Sequence, residues 1–258
     1  MDTNGISYLN FLYFLIFLIP MMAVTWKMNL SVNKRLVIAV SRMILQLSLV
    51  GIFLQYIFKL DKGWLNLLYV FLMMLVASFS VMKSCNRKEA PYLPIILFSF
   101  ALPNTVMMLF FNRFIADIDV ILSAQHTIPI AGMLLGNSLN SIIIAVNRFY
   151  SDLKEGEKEY FMMLGMSGSR SEAIRPYFRT ALLTALNPTL ASIETIGLVA
   201  LPGMMTGQIL GGALPLTAIK YQIAIMLAIM IVRFAAAALT IFMTTRLAFD
   251  DFDIPAGP

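Results

Sequence analysis

Apolar residues run along this chain in long blocks, without the alternation of a half-buried strand or the stripe of a soluble amphipathic helix. Seven blocks, at roughly 6–26, 36–58, 64–82, 91–111, 128–147, 180–200 and 221–245, each have the length to cross a hydrocarbon core of about 30 Å as a helix. Within that core every backbone amide must find its partner inside its own segment, so the blocks predict helices. The expected fold is an all-α polytopic integral membrane protein of about seven transmembrane helices. It forms a single domain over 1–258, since the chain shows no long linker, no low-complexity tract and no internal repeat.

Composition agrees with this pattern, with 59% of residues hydrophobic and 13% charged. The first ten residues contain Asp2 and no Lys or Arg, so the first block reads as a true span instead of a cleaved leader. Thirteen of the 19 Lys and Arg residues fall in the connections 27–35, 83–89 and 148–179 and in the tail after 245. This asymmetry predicts an outside N-terminus and a cytoplasmic C-terminus. The net charge of +5 follows from that topology; it suits the anionic headgroups of a lipid bilayer and gives no case for nucleic acid. Cys85 is the one cysteine, which excludes an internal disulfide and reads as a spectator thiol in a cytoplasmic loop.

The charged stretch 148–179, RFYSDLKEGEKEYFMMLGMSGSRSEAIRPYFR, lies between the fifth and sixth blocks as a helix–turn–helix cassette. Ser151 and Asp152 are placed to open a helix on which Leu153, Tyr160 and Leu164 share a face. Gly165 is placed to cap it, and Ser169 with Glu172 to start a second helix as a capping box. Pro176 is expected to kink that second helix as it enters the membrane. Met162, Met163, Leu164, Met166 and Ala173 are left for the groove of a partner, or for lipid headgroups. No G-x-x-x-x-G-K-[ST] occurs, and GMSGSRSE lacks the lysine that reaches phosphate, so any ATP-derived force must come from another chain.

Polar side chains inside the blocks are functional candidates, because hydrocarbon tolerates them only when they face protein or water. Arg42 and Gln46 share a face of the second block, with Arg42 near enough to the cytoplasmic end to snorkel instead. The fifth block carries Gly132 and Gly136 for close helix contact, followed by Asn137, Asn140 and Ser141 on one face. Thr184, Asn187, Ala191 and Glu194 make a stripe on the sixth, loosened at Pro188. Gln222 and Arg233 lie three turns apart on the seventh. Glu194, the one acidic side chain within a block, either attracts a cationic substrate or pairs with Arg233.

The connection 201–215, LPGMMTGQILGGALP, is uncharged and rich in glycine, as a segment re-entering the membrane would be, or a tight lipid-shielded turn. Its thioethers Met204 and Met205, with Glu194, are the candidate metal ligands, and Gln208 is a further candidate for the substrate path. Asp117, Asp119 and His126 offer a second set of hard donors in the outer connection 112–127, where a plain solvated loop reads equally well. With a single histidine and no HExxH or GxSxG, the chain offers nothing for an intramembrane enzyme.

IPIAGMLLGNSLNS at 128–141, LGMSGSRSEAIRP at 164–176 and LVALPGMMTGQILGGALPLTAIKYQI at 198–223 resemble the Fet-type permeases of ABC transporters. That family includes a bacterial iron-export permease and plant aluminium-tolerance proteins. The resemblance implies a permease subunit, paired as a homodimer with two separate ABC ATPase chains that bind ATP and magnesium, the permease itself carrying no cofactor. It implies export of a metal ion, iron first. A nucleotide sugar or other organic anion is the rival cargo, calling on Arg42 and Arg233, and a membrane scaffold that carries nothing is a rival of another kind. The spacing of Glu159 and Gly165 before a downstream proline is similar to the coupling loop of such permeases, which assigns ATPase contact to Glu159, Leu164, Gly165, Met166, Glu172, Ala173 and Arg175.

Overall fold

The computed structural model describes residues 8–28, 32–85, 92–116 and 120–249. They form two compact units divided after Leu60. The first contains α1 (Tyr8–Lys27) and α2 (Asn33–Leu60). Asn33, at the start of α2, clasps the end of α1: its side-chain nitrogen donates to the Met22 carbonyl at 3.0 Å, and its side-chain oxygen accepts from the Thr25 hydroxyl. Arg42 and Gln46 stand exposed one turn apart on α2.

The second unit holds α3 (Gly63–Ser84), α4 (Tyr92–Phe110) with a π-helical turn at Phe111–Ile115, α5 (Ala124–Glu155), α6 (Glu157–Ser167), α7 (Arg170–Thr195), α8 (Gly203–Leu210) and α9 (Pro215–Ala248). The long helices α5 and α9 pack along each other at its centre. Helices α3, α4 and α7 also lie against α5, and α4, α7 and α8 against α9. No strand occurs among the described residues beyond one isolated bridge between Ile196 and Ala200.

The polarity of this unit is that of a membrane protein. Val76, Val106, Leu183 and Phe234 point outward, while Asn66, Ser78, Ser99, Asn104, Ser138, Thr240 and Thr244 are buried. Each of these seven side chains is tied to a nearby carbonyl or to another helix, as Ser138 donates to Asn104 at 3.1 Å. Lipid needs no polar outer face, and an interior polar group has few costs once it is bonded. Among the described residues, α2, α3, α4 with its π turn, α5 and α9 are long and apolar enough to cross a membrane. Helix α7 is excluded by its charged start at Arg170, Glu172, Arg175 and Arg179, which leaves its apolar part short. The described apolar part of α1 is shorter still, at Ile16–Lys27.

Asp61 joins distant turns of the second unit. Its backbone has a φ of 35°, outside the usual range for a non-glycine residue. Its carboxylate accepts from the Ala124 amide at 2.7 Å and from the Asn66 side chain at 3.1 Å. The N-terminus of α5 is thus capped from a residue far away in sequence, and its local N-cap residue, Ser123, makes no side-chain cap. Cys85 is also part of the packing: it ends α3 and is buried in the core, where the sequence had suggested a loop thiol.

Candidate functional site

A cavity of about 390 Å³ opens where α7 ends and α9 begins, at the opposite end of α7 from the cassette. It is walled by Met133 and Asn137 of α5, Thr189, Ser192 and Thr195 of α7, Met204 of α8, and Gln222, Met226 and Arg233 of α9. Three of these side chains carry a buried polar atom with no partner: Thr189 Oγ1, Gln222 Oε1 and Arg233 Nε. All three residues are more than nine-tenths buried. Arg233 makes one side-chain hydrogen bond, from a terminal guanidinium nitrogen to the Ala185 carbonyl at 3.3 Å. No Asp or Glu lines the cavity. Leaving a buried arginine without a counter-charge costs several kcal/mol, so packing alone gives no reason to keep it.

Small residues bring the arginine there. Ala173, Ala181, Ala185 and Thr189, with the larger Tyr177 among them, recur every fourth position of α7 as a buried stripe, so α7 is narrow on its inward side from Ala181 to Thr189. At Ala185 the stripe leaves a carbonyl within reach of α9. Ser141 of α5 meets α9 at the same level, donating to the Arg233 carbonyl at 3.3 Å.

The other end of α7 forms the cassette. Helix α5 continues unbroken to Glu155, so Ser151 and Asp152 lie in its last turns and do not open a new helix. The break falls at Gly156, whose carbonyl accepts from the Tyr177 hydroxyl at 3.0 Å. Gly165 lies inside α6; the left-handed cap is Gly168, with a φ of 62° and its amide bonded to the Leu164 carbonyl. Ser169 does start α7, but the capping box is not formed, and its hydroxyl bonds instead to that of Ser171. Pro176 and Pro188 both lie within the continuous α7.

On α6, Tyr160 is fully buried, as Leu153 is on α5, while Phe161, Met162 and Met166 are exposed. Glu159, Glu172 and Arg175 stand exposed beside them. Ala173, expected to be open to a partner, is fully buried in the α7 stripe. Burial and the negative charges of Glu159 and Asp152 push the Tyr177 phenol above its ordinary range.

The model of the uncharacterised protein family UPF0014 matches residues 8–249. The chain belongs to that family. UPF0014 membrane protein YjkA of Bacillus subtilis is 32% identical over 94% of both chains. Protein ALUMINUM SENSITIVE 3 of Arabidopsis thaliana is 30% identical over 78% of this chain and 72% of its own length. The probable iron export permease protein FetB of Escherichia coli is 27% identical over 95% of this chain and 93% of its own. No solved structure matches. Like these UPF0014 relatives, the chain is a multi-pass membrane protein of the plasma membrane type.

Of the residues singled out from sequence, the cavity unites Asn137, Met204, Gln222 and Arg233. Glu194 and Asn187 are exposed on another side of α7, and Glu194 makes no ion pair with Arg233 among the described residues. Asn140 is exposed while Ser141 is buried, so the face they were expected to share with Asn137 divides. Met205 is buried, and Gln208 is half-buried on α8 away from the cavity wall. Among the described residues no three His, Cys, Asp or Glu side chains gather to hold a metal ion. Asp117 and Asp119 lie outside the described residues, and His126 is half-buried with Nδ1 unpaired. Thr189 and Ser192 were missed because two polar stripes run down this block. The every-fourth-residue row of small side chains was the signal for which stripe turns inward.

Proposed function

We propose that this UPF0014 protein is the membrane subunit of an ABC-type exporter whose ATPase is a separate chain. Seven crossings with an outside N-terminus would put the cassette on the cytoplasmic side and the cavity in the outer half. The observation that carries the reading is the continuity of α7 from Arg170 to Thr195, from the cassette to the cavity wall. Thr189 lies nineteen residues beyond Arg170, about 28 Å along the helix axis. A push on the cassette therefore reaches the cavity through one rigid element, with Pro176 and Pro188 as places where the helix can flex.

The exposed Phe161, Met162 and Met166 of α6, flanked by Glu159 and Arg175, form the face offered to the ATPase. That partner binds ATP and magnesium, and a pair of permease chains completes the transporter. The cargo on this reading is iron, a proposal supported by the similarity to FetB, a probable iron export permease of Escherichia coli. A second reading, an organic anion, is favoured by the uncompensated Arg233 in a cavity without carboxylates.

The test is assembly and coupling in proteoliposomes. The candidate ATPase should co-purify with the wild-type chain, and its hydrolysis should respond to it. Changing both Met162 and Met166 to Asp should abolish the association while the protein still inserts. An ATPase that binds the double variant as tightly as wild type overturns the docking role of this face.

A further inference from the structure

The three unpaired atoms, carried by side chains that line the cavity, differ in what they need. Arg233 Nε is a cationic donor that seeks a negatively charged acceptor. Gln222 Oε1 is an acceptor and seeks a donor. Thr189 Oγ1 serves as either. All three are withdrawn from bulk water, in a cavity at the lower end of the volumes that hold small ligands. A bare cation is a poor occupant: Arg233 repels it, no carboxylate lines the cavity, and the soft donors there are the uncharged thioethers of Met133, Met204 and Met226. A purely apolar ligand would leave every one of these atoms unpaired.

We propose that Arg233, Gln222 and Thr189 form a binding site for a small hydroxylated oxyanion, a carboxylate or phosphate with a hydroxyl beside it. The oxyanion takes the Arg233 Nε–H, the ligand's hydroxyl donates to Gln222 Oε1, and Thr189 closes the ring of contacts. The Ala185 carbonyl holds the far side of the guanidinium and aims it, leaving Nε for the ligand. Asn137, whose amide nitrogen is engaged by the Met133 carbonyl at 2.8 Å, lines the cavity with its oxygen and adds a second acceptor for hydroxyls. A metal ion would enter such a site as the complex of a hydroxylated acid. The proposal deepens the permease reading by naming the class of cargo.

Equilibrium binding to the full chain in phosphatidylcholine nanodiscs tests it without any ATPase, so its failure is separate from a failure of coupling. The probes are citrate, glycerol 3-phosphate, tricarballylate (citrate without its hydroxyl) and ferrous ion alone, read by calorimetry. Saturable binding of citrate or glycerol 3-phosphate is expected, and which of the two binds tells carboxylate from phosphate. Tricarballylate should bind about tenfold more weakly than citrate if citrate is the better probe.

Arg233→Gln should weaken binding about tenfold or more. Thr189→Val guards against a misfolded arginine variant. It should weaken binding severalfold while leaving thermal stability equal or higher, because it removes a buried unpaired hydroxyl. The proposal is overturned if neither oxyanion binds, if binding is unchanged in both variants, or if ferrous ion alone binds and Arg233→Gln does not affect it. Retention of an anionic lipid in place of either solute, released by Arg233→Gln, also overturns it.

Discussion

The hydroxyl of Tyr177 on α7 donates to the Gly156 carbonyl at 3.0 Å, fastening the helix that leaves the cassette to the joint between α5 and α6. Tyr177 belongs to the buried stripe that ends at Thr189, so this bond anchors the cassette end of the same row that walls the cavity. Its donor and acceptor are 21 residues apart, and the fit around them is close.

Gly156→Ala should be poorly tolerated. A Cβ there would stand 2.7 Å from the Tyr177 hydroxyl, closer than real Cβ contacts, and 3.1 Å from the Asp152 carbonyl, tighter than most of them. We expect a loss of about 1–3 kcal/mol, the usual cost of overpacking. Tyr177→Phe alone should cost about 1 kcal/mol for the lost hydrogen bond. Because it also removes the nearest clash, the double variant should be less destabilised than the sum of the two. Additive effects in thermal unfolding would show that Gly156 and Tyr177 do not meet in this way.

The same phenol gives a pH dependence. Burial first, and then the charges of Glu159 and Asp152, hold its folded pKa above the ordinary 10.0. The neutral phenol is therefore favoured in the folded state. Its contribution is fully present below the ordinary value and is lost as pH rises through the raised one. The stability gap between wild type and Tyr177→Phe should stay level up to about pH 9 and narrow beyond it. A gap that widens with rising pH would reverse the assignment.

The glycines at 165 and 168 should respond oppositely to alanine. Gly168 adopts a φ of 62°, where a side chain is strained, and Gly168→Ala should cost about 1 kcal/mol. Gly165 is in the middle of a helix with open space around its missing Cβ, so Gly165→Ala should be neutral or stabilising by a few tenths of a kcal/mol. Gly165→Pro should break α6 and uncouple ATP hydrolysis from transport. Melting curves and coupled hydrolysis rates distinguish these outcomes.

Asp61→Ala should cost about 1–2 kcal/mol, since it removes the cap of α5 and the contact with Asn66. Asp61→Asn, which keeps an acceptor without the charge, should recover part of it. Full recovery in Asp61→Asn would leave the negative charge without a role.

The all-helical membrane fold was legible because lipid imposes a simple rule on span length and backbone bonding, and most of the blocks became helices at their expected places. The cassette was legible as to place, since charge interrupts the apolar pattern at Arg148. Its internal joints were not: α5 runs through Ser151 because Leu153 and Phe149 are both buried in the core, and the break waits for Gly156. Asp61's capping of α5 depends on a contact between distant segments, which no local pattern records. Arg233 stood out as a charge within a block, but its partner-free state depends on where Glu194 turns. Glu194 and Thr189 lie five residues apart on α7, so they face different ways, and sequence polarity cannot choose between them.

The central claim is coupled export. Its most direct test is ATP-dependent accumulation of labelled iron in inside-out vesicles containing this chain and its ATPase, with iron offered as the ferrous ion and as its citrate complex. The account predicts accumulation from at least one form, abolished when ATP is withheld or the ATPase is inactive. No accumulation from either form, in vesicles whose complex assembles and hydrolyses ATP, would contradict the assignment of iron as cargo.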